Sequence, residues 1–166
     1  MAKAVPLLTA PDFPELFGRL TALEQAQALA RGKRRHERNY PATAHGGDRQ
    51  SATFRAGSNL EDRQYDVPDP ERYGFTNFAA HILSCTARSI QMKVRIAERI
   101  PSPLQAALSG TPIARRRNDL IRIAGMPADR HRQLLEYLEE GPTPATLNNL
   151  LHGIALRHSG LAHRNG

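Results

Sequence analysis

Apolar residues recur at helical spacing throughout the C-terminal two-thirds of this 166-residue chain, and no stretch shows the alternation typical of a strand. A hydroxyl residue followed by proline, a common start of a helix, occurs at Ser102, Thr111 and Thr143. Glycines stand where helices are expected to end, at Gly110, Gly125, Gly141 and Gly160. The pattern predicts an all-α fold with about six short helices in this region.

The first 74 residues have a different character. Residues 1–40 are predicted to form a helical N-terminal arm, in which Thr21 and Glu24 have the spacing of a capping box at the start of a helix over 21–38. A shorter helix is expected over 13–20. Residues 41–74 are rich in glycine, proline and polar residues without sustained periodicity, which predicts a long flexible linker.

Two further segments complete the predicted organisation. Residues 75–141 are expected to form a compact multi-helix domain, and residues 142–166 a C-terminal helix, centred on 144–158. That helix has a broad apolar surface formed by Leu147, Leu150, Leu151 and Ile154. Such a surface either docks on the helical core or pairs with its counterpart in a homodimer, and the residues alone leave both possibilities open.

The excess positive charge is concentrated in one part of the chain. The formal net charge is +7, and residues 75–126 alone hold 8 basic and 2 acidic residues. The remaining segments are nearly neutral. A localised cationic surface favours a polyanionic partner such as double-stranded DNA.

Residues 76–100 have the pattern of a helix-turn-helix. Ala79 and Ala80 are small enough for two helices to cross closely, Ser84 begins a tight turn, and Thr86 can cap the second helix. Ile90, Val94 and Ala97 recur at helical spacing and predict the buried face of that second helix.

The opposite face of the second helix supplies the candidate DNA contacts. Arginine and glutamine side chains can form two hydrogen bonds with one base edge. The predicted base contacts are Thr86, Arg88, Gln91, Met92 and Arg95. The predicted backbone contacts are Ser89, Lys93, Arg99, Arg115, Arg116 and Arg117. For the last three arginines, a position on a solvated helix face without any DNA contact explains the sequence as well as phosphate contact does.

Other chemistry is not indicated. The seven histidines lack metal-ligand spacing, and Cys85 has no histidine and aspartate arrangement that would make it a nucleophile. We therefore expect no enzyme activity, no catalytic residues, no metal and no cofactor. No run of residues approaches the length of a membrane span or a signal peptide, which predicts a cytoplasmic protein. Association with a nucleoid or plasmid is expected as a consequence of DNA binding.

The helix-turn-helix also carries a family resemblance. The pattern Phe75-Thr-x-Phe-Ala-Ala-x-x-Leu-Ser-x-Thr-x-Arg-Ser-Ile-Gln-x-x-Val-Arg-Ile-Ala is similar to the central domain of ParB-type partition proteins and KorB-like repressors, in the divergent form found on plasmids, phages and conjugative elements. The similarity extends over about residues 21–141. It implies site-specific recognition of double-stranded DNA.

Two departures from the family pattern matter. Glycine is usual at the turn, where this chain has Ser84. The nucleotide-binding domain that precedes the helix-turn-helix in ParB proteins is not expected here, because only some 20 residues precede the matching region. The segment His45-Gly-Gly-Asp-Arg-Gln-Ser resembles its phosphate motif only faintly, and we do not expect CTP binding.

The sequence therefore predicts a sequence-specific DNA-binding protein of a mobile element, acting as a transcriptional regulator or as a partition or transfer accessory factor. The alternative is a helical interaction module that binds a partner protein, in which case the basic surface serves protein association. The N-terminal arm is a further candidate surface for such a partner.

Overall fold

A computed structural model of the chain describes residues 13–43, 70–71, 73–141 and 143–162. These residues contain eight α-helices and two short 3-10 helices, Pro41–Thr43 and Pro112–Arg115, and no β-strand. The predicted all-α fold is confirmed. The α-helices are α1 (Phe13–Arg19), α2 (Ala22–Asn39), α3 (Phe75–Ile82), α4 (Ala87–Arg99), α5 (Ser102–Leu108), α6 (Arg117–Ala124), α7 (Ala128–Glu140) and α8 (Leu147–Ala162).

Residues 1–12 of the predicted arm and residues 44–69 of the predicted linker lie outside the described residues, as does His45. Within the described ranges, every helix is too short or too polar to cross a bilayer.

Helix α2 begins with the predicted capping box. The Thr21 N–H donates a hydrogen bond to Glu24 Oε2 at 2.7 Å, and the Glu24 N–H donates to Thr21 Oγ1 at 3.2 Å. Two backbone donors that a helix start leaves free are thereby satisfied. The hydrogen bonds from Thr21 also lower the pKa of the Glu24 carboxyl below its ordinary value.

Two of the three predicted hydroxyl caps are wrong. Helix α5 begins at Ser102 itself, with Pro101 in the N-cap position. Helix α8 begins at Leu147, beyond Thr143, because two other oxygens satisfy its first backbone donors. Thr146 Oγ1 accepts from the Asn149 N–H at 3.2 Å, and Asp119 Oδ2 accepts from the Leu147 N–H at 3.2 Å.

For the third predicted cap, Thr111, the N-cap position is confirmed but the capping hydrogen bond is not. Thr111 occupies the N-cap position of the 3-10 helix Pro112–Arg115, yet its hydroxyl donates to the Leu108 carbonyl at 2.7 Å instead of capping. Among the predicted glycine ends, Gly110, Gly125 and Gly141 follow helices as expected. Gly160 does not, because α8 continues to Ala162.

The chain divides into two compact units. Of the described residues, those within 13–20 and 27–94 belong to the first unit, and those within 21–26 and 95–162 belong to the second. Helices α2 and α4 each contribute residues to both units. The helix-turn-helix up to Val94 belongs to the first unit.

The first unit has a core rich in phenylalanine. His36 of α2 is buried in it, with its ring centroid 5.9 Å from that of Phe75 and 5.4 Å from that of Phe78. Both phenylalanines belong to α3, so α2 packs directly against the first helix of the helix-turn-helix. The other buried members of this cluster are Phe13, Phe17, Leu29, Ala79, Ala80, Ile90 and Val94.

The second unit has an aliphatic core. Helix α7 packs against α5 and α8, and Leu147, Leu150 and Ile154 of α8 are buried in the cluster. The apolar stripe of α8 therefore packs on the chain's own core. Leu156 is an exception, with 59% of its surface exposed.

Buried polar side chains of the second unit bind backbone carbonyls. Gln105 Nε2 donates to Ala97 O at 2.8 Å and to Ile100 O at 2.7 Å, which fixes the bend between α4 and α5. His131 Nε2 lies 2.7 Å from Ile123 O. Such bonds offset the cost of burying polar groups.

Candidate nucleic-acid interface

The turn between α3 and α4 has a defined hydrogen-bond pattern. The Cys85 N–H donates to Ala80 O at 2.9 Å, and the Ser84 N–H donates to His81 O at 3.1 Å. Ser84 has a φ of 48°, in the left-handed region. Together these features form a Schellman motif, which ends α3. The serine therefore occupies the position where glycine is common for conformational reasons.

Thr86 caps the second helix as predicted. Its Oγ1 accepts a hydrogen bond from the Ser89 N–H at 3.2 Å, and α4 begins at the next residue, Ala87. This cap fixes where α4 starts, and therefore which side chains share each of its faces.

The buried face of α4 matches the prediction at its first two positions. Ile90 is completely buried and Val94 is 5% exposed. Ala97 is only half-buried, whereas Ile96, which the sequence analysis did not single out, is 1% exposed. Ala97 packs against the same aliphatic cluster as Ile96, so the core-facing stripe widens after Val94 to include both residues.

The predicted base contacts lie mainly on the exposed face. Thr86, Arg88, Gln91 and Arg95 are exposed, and Met92 is half-buried. Within the described residues, the side chains of Arg88, Gln91 and Arg95 form no hydrogen bond or ion pair. They are spaced three and four residues apart, so they form one row along α4.

Two predicted backbone contacts on α4 are less accessible. Ser89 is half-buried beside the cap. Lys93 is also half-buried, and its Nζ lies 4.9 Å from the centroid of the Phe17 ring of α1. An ammonium group over an aromatic face is attracted by the ring quadrupole, so Lys93 has an internal role in the first unit. Arg99, the last residue of α4, is exposed.

The three consecutive arginines are exposed at the start of α6. Arg116 is the N-cap residue, Arg117 is the first helical residue, and Arg115 ends the preceding 3-10 helix. Cations at a helix N-terminus are opposed by the positive end of the helix dipole, so the helix itself does not account for them. Asp119 of the same helix accepts from the Leu147 N–H and lies 3.9 Å from Arg122, and the Glu24 carboxylate interacts electrostatically with Arg115.

In the described part of the chain, no three metal-binding side chains come together. His81 and His152 are exposed, whereas His36 and His131 are buried and bonded to backbone carbonyls. Cys85 is half-buried and packs against the core of the first unit.

Two phenylalanines of α1 that pack in the same core as the helix-turn-helix were not predicted from the sequence. Phe13 and Phe17 are one helical turn apart in α1, and their ring centroids are 5.5 Å apart. That spacing was visible in the sequence, but nothing local indicated that these rings share a core with α3.

Comparison with family models, with curated proteins and with solved structures finds no match to this chain.

Proposed function

We propose that this protein binds double-stranded DNA sequence-specifically, with α4 lying in the major groove. The observation that carries the proposal is the row formed by Arg88, Gln91 and Arg95. These side chains are exposed and have no polar partner among the described residues, whereas Ile90 and Val94 on the opposite face are buried. A helix presented in this way can bring its polar side chains to base edges.

The chemistry of the row fits base recognition. Arginine forms bidentate hydrogen bonds with guanine, and glutamine does so with adenine. The predicted contribution is about 1–3 kcal/mol of discrimination for each well-formed bidentate contact. Thr86 and Met92 flank the row and are the proposed secondary base contacts.

The remaining arginines are proposed to contact phosphates. Arg99 and Arg115–Arg117 are exposed, and the dipole of α6 disfavours cations at Arg116 and Arg117. A polyanion would relieve that repulsion. Phosphate contacts position a protein on the duplex without reading sequence directly.

The proposed biological role rests on the motif resemblance. A ParB-like or KorB-like helix-turn-helix fits a regulator, or a partition or transfer accessory factor, of a mobile element. In this proposal the protein is associated with a nucleoid or plasmid. A homodimer would place two copies of α4 on a palindromic site.

The proposal is tested by selecting bound fragments from random duplex DNA and measuring affinity for the selected site by fluorescence anisotropy. Tight binding of one motif, with weaker binding to scrambled duplex, is the expected result. Arg130→Ala is the control for alanine variants of the proposed DNA-contacting arginines, because Arg130 is an exposed arginine of α7 that is not assigned to the interface.

Absence of binding even to random duplex at low salt would overturn the proposal. That result would favour the alternative function, an interaction module whose basic surface binds an acidic partner protein.

A further inference from the structure

The first unit contains a cavity of about 330 Å³ that is lined mainly by α1 and the C-terminal half of α2. Its walls are mainly apolar and include Phe13, Leu16, Phe17, Leu20 and Phe78. Leu16 is 50% exposed and Leu20 is 37% exposed, so both stand at the open side. A cavity of this size lies at the lower end of the range typical of small-molecule sites.

The edge of the cavity is cationic. Arg31 and Arg35 line it from α2, one helical turn apart, and both are exposed. Neither forms an ion pair or hydrogen bond within the described residues, and no acidic side chain is among the described residues that line the cavity. The site therefore combines an apolar interior with two guanidinium groups that have no acidic partner among the described residues.

We propose that this cavity binds a small amphipathic organic anion, with an aromatic or aliphatic body and one carboxylate or sulfonate group. The body packs against Phe13, Phe17 and Phe78, and the anionic group pairs with Arg31 and Arg35. Guanidinium groups bind such anions through paired N–H donors, and burial of the body supplies the remaining attraction.

The location of the cavity gives the ligand a route to the helix-turn-helix. Phe78 belongs to α3, and His36, which also lines the cavity, packs against Phe75 and Phe78. An occupant therefore touches the cluster that holds α3 in place. Any resulting effect on DNA affinity rests on the proposed function, and the coupling must be reciprocal.

Ligand binding is measured first without DNA, so that its outcome is independent of the proposed function. The probe is the dye 8-anilinonaphthalene-1-sulfonate, titrated into the full chain and followed by fluorescence. We expect one saturable site. Decanoate is expected to displace the dye at concentrations at least about tenfold lower than decanol, because only decanoate carries the anionic group.

Matched variants locate the site. Arg35→Ala is expected to weaken dye binding about three- to tenfold, whereas Arg34→Ala, an equal charge change at an exposed neighbour that does not line the cavity, leaves it unchanged. Leu16→Glu places a carboxylate at the opening and is expected to abolish saturable binding. Leu156→Glu, at an exposed leucine of α8, is its control. Far-UV circular dichroism verifies that each variant folds.

Equal effects of Arg35→Ala and Arg34→Ala, or displacement by decanol as effective as that by decanoate, would overturn the proposal. So would dye binding that does not saturate, or displacement by an acidic amphipathic peptide but not by decanoate. The last result would identify a docking site for protein. Failure of DNA binding in the separate anisotropy assay would leave the ligand result standing.

Discussion

The Nε2 atom of His36 lies 3.0 Å from the backbone carbonyl oxygen of Tyr73, across 37 positions of sequence. This hydrogen bond, with the ring contacts to Phe75 and Phe78, joins α2 to the start of the helix-turn-helix. The imidazole must donate through Nε2, because a carbonyl oxygen only accepts. Burial lowers the pKa of His36 below its ordinary value, so the ring is neutral in the folded protein at neutral pH.

The lowered pKa predicts that stability depends on pH. Below about pH 6.5 the unfolded chain binds a proton at His36 more readily than the folded protein does. The contribution of neutral His36 is therefore complete above that pH, and it is lost as the pH falls toward the lowered folded value. We expect the free energy of unfolding, measured by urea denaturation, to decrease between pH 7 and pH 5.

His36→Gln separates this effect from other titrations. Glutamine can still donate a hydrogen bond but does not titrate, so the variant should lose about 1–2 kcal/mol at pH 7.5 and show a shallower pH dependence than the wild type. His81→Gln, at an exposed histidine of α3, is the control. An unchanged slope in His36→Gln would contradict this assignment.

The turn residue Ser84 predicts a stabilising substitution. A φ of 48° brings a Cβ atom close to the neighbouring backbone, and glycine has no Cβ atom. Ser84→Gly is expected to raise the free energy of unfolding by about 0.5–1 kcal/mol, since part of the gain is offset by the greater freedom of glycine in the unfolded chain.

Ser84→Ala is the matched control for this turn. It removes the hydroxyl but retains the Cβ atom, so it should bring no gain. Equal stabilities of the glycine and alanine variants would show that the left-handed conformation costs nothing here. Thermal or urea denaturation of the two variants in parallel measures the difference.

The sequence was most informative where local rules decide the structure. The capping box at Thr21, the Thr86 cap and the stripe of Ile90 and Val94 were all predictable, because each depends on residues within one helical turn. The start of α8 was not predictable, because it depends on Asp119, which is 28 residues from Leu147.

In the candidate site, too, features set by local sequence were predictable and features set by distant residues were not. Exposure of Arg88, Gln91 and Arg95 follows from helical periodicity, so sequence alone could place these side chains. The half-buried position of Lys93 could not be predicted, because the Phe17 ring that it covers comes from a distant part of the chain. Local patterns define faces of helices, but they do not indicate which partner each face meets.

Gly153 of α8 is predicted to be intolerant of alanine. A Cβ atom at that position would lie 2.5 Å from Cζ of Tyr137. The ring packs against the aliphatic core, and the Arg157 guanidinium lies 4.5 Å from its centroid, so a shift of the ring would disturb both contacts. Gly153→Ala should therefore lower the free energy of unfolding by about 1–3 kcal/mol, although alanine is the better helix former.

Gly18→Ala in α1 is the matched control without a clash, since a Cβ atom at Gly18 would have no other heavy atom of the described residues within 4 Å. Gly18→Ala should raise stability by about 0.5–1 kcal/mol. Combining Tyr137→Leu with Gly153→Ala should recover much of the loss, and a double-mutant cycle by urea denaturation measures that coupling. Additive effects of the two substitutions would exclude the clash as the cause.

Arg88 and Arg116 should respond differently when DNA binding is measured. Arg88→Ala removes a proposed base contact, so it should weaken binding to the selected site by about 1–3 kcal/mol and affect random duplex much less. Arg116→Ala removes a proposed phosphate contact. It should weaken both duplexes similarly and reduce the slope of log K against log salt by about 0.9.

Anisotropy titrations at several salt concentrations measure both quantities on the same samples, with Arg130→Ala as the control of equal charge. The two arginines carry the same charge, so a purely electrostatic role for α4 predicts identical behaviour. Loss of affinity by Arg88→Ala on random duplex as large as that on the selected site would therefore remove α4 from the base-reading role, even if DNA binding itself persists. A difference confined to the selected site can arise only where a side chain meets base edges or senses the shape of one sequence.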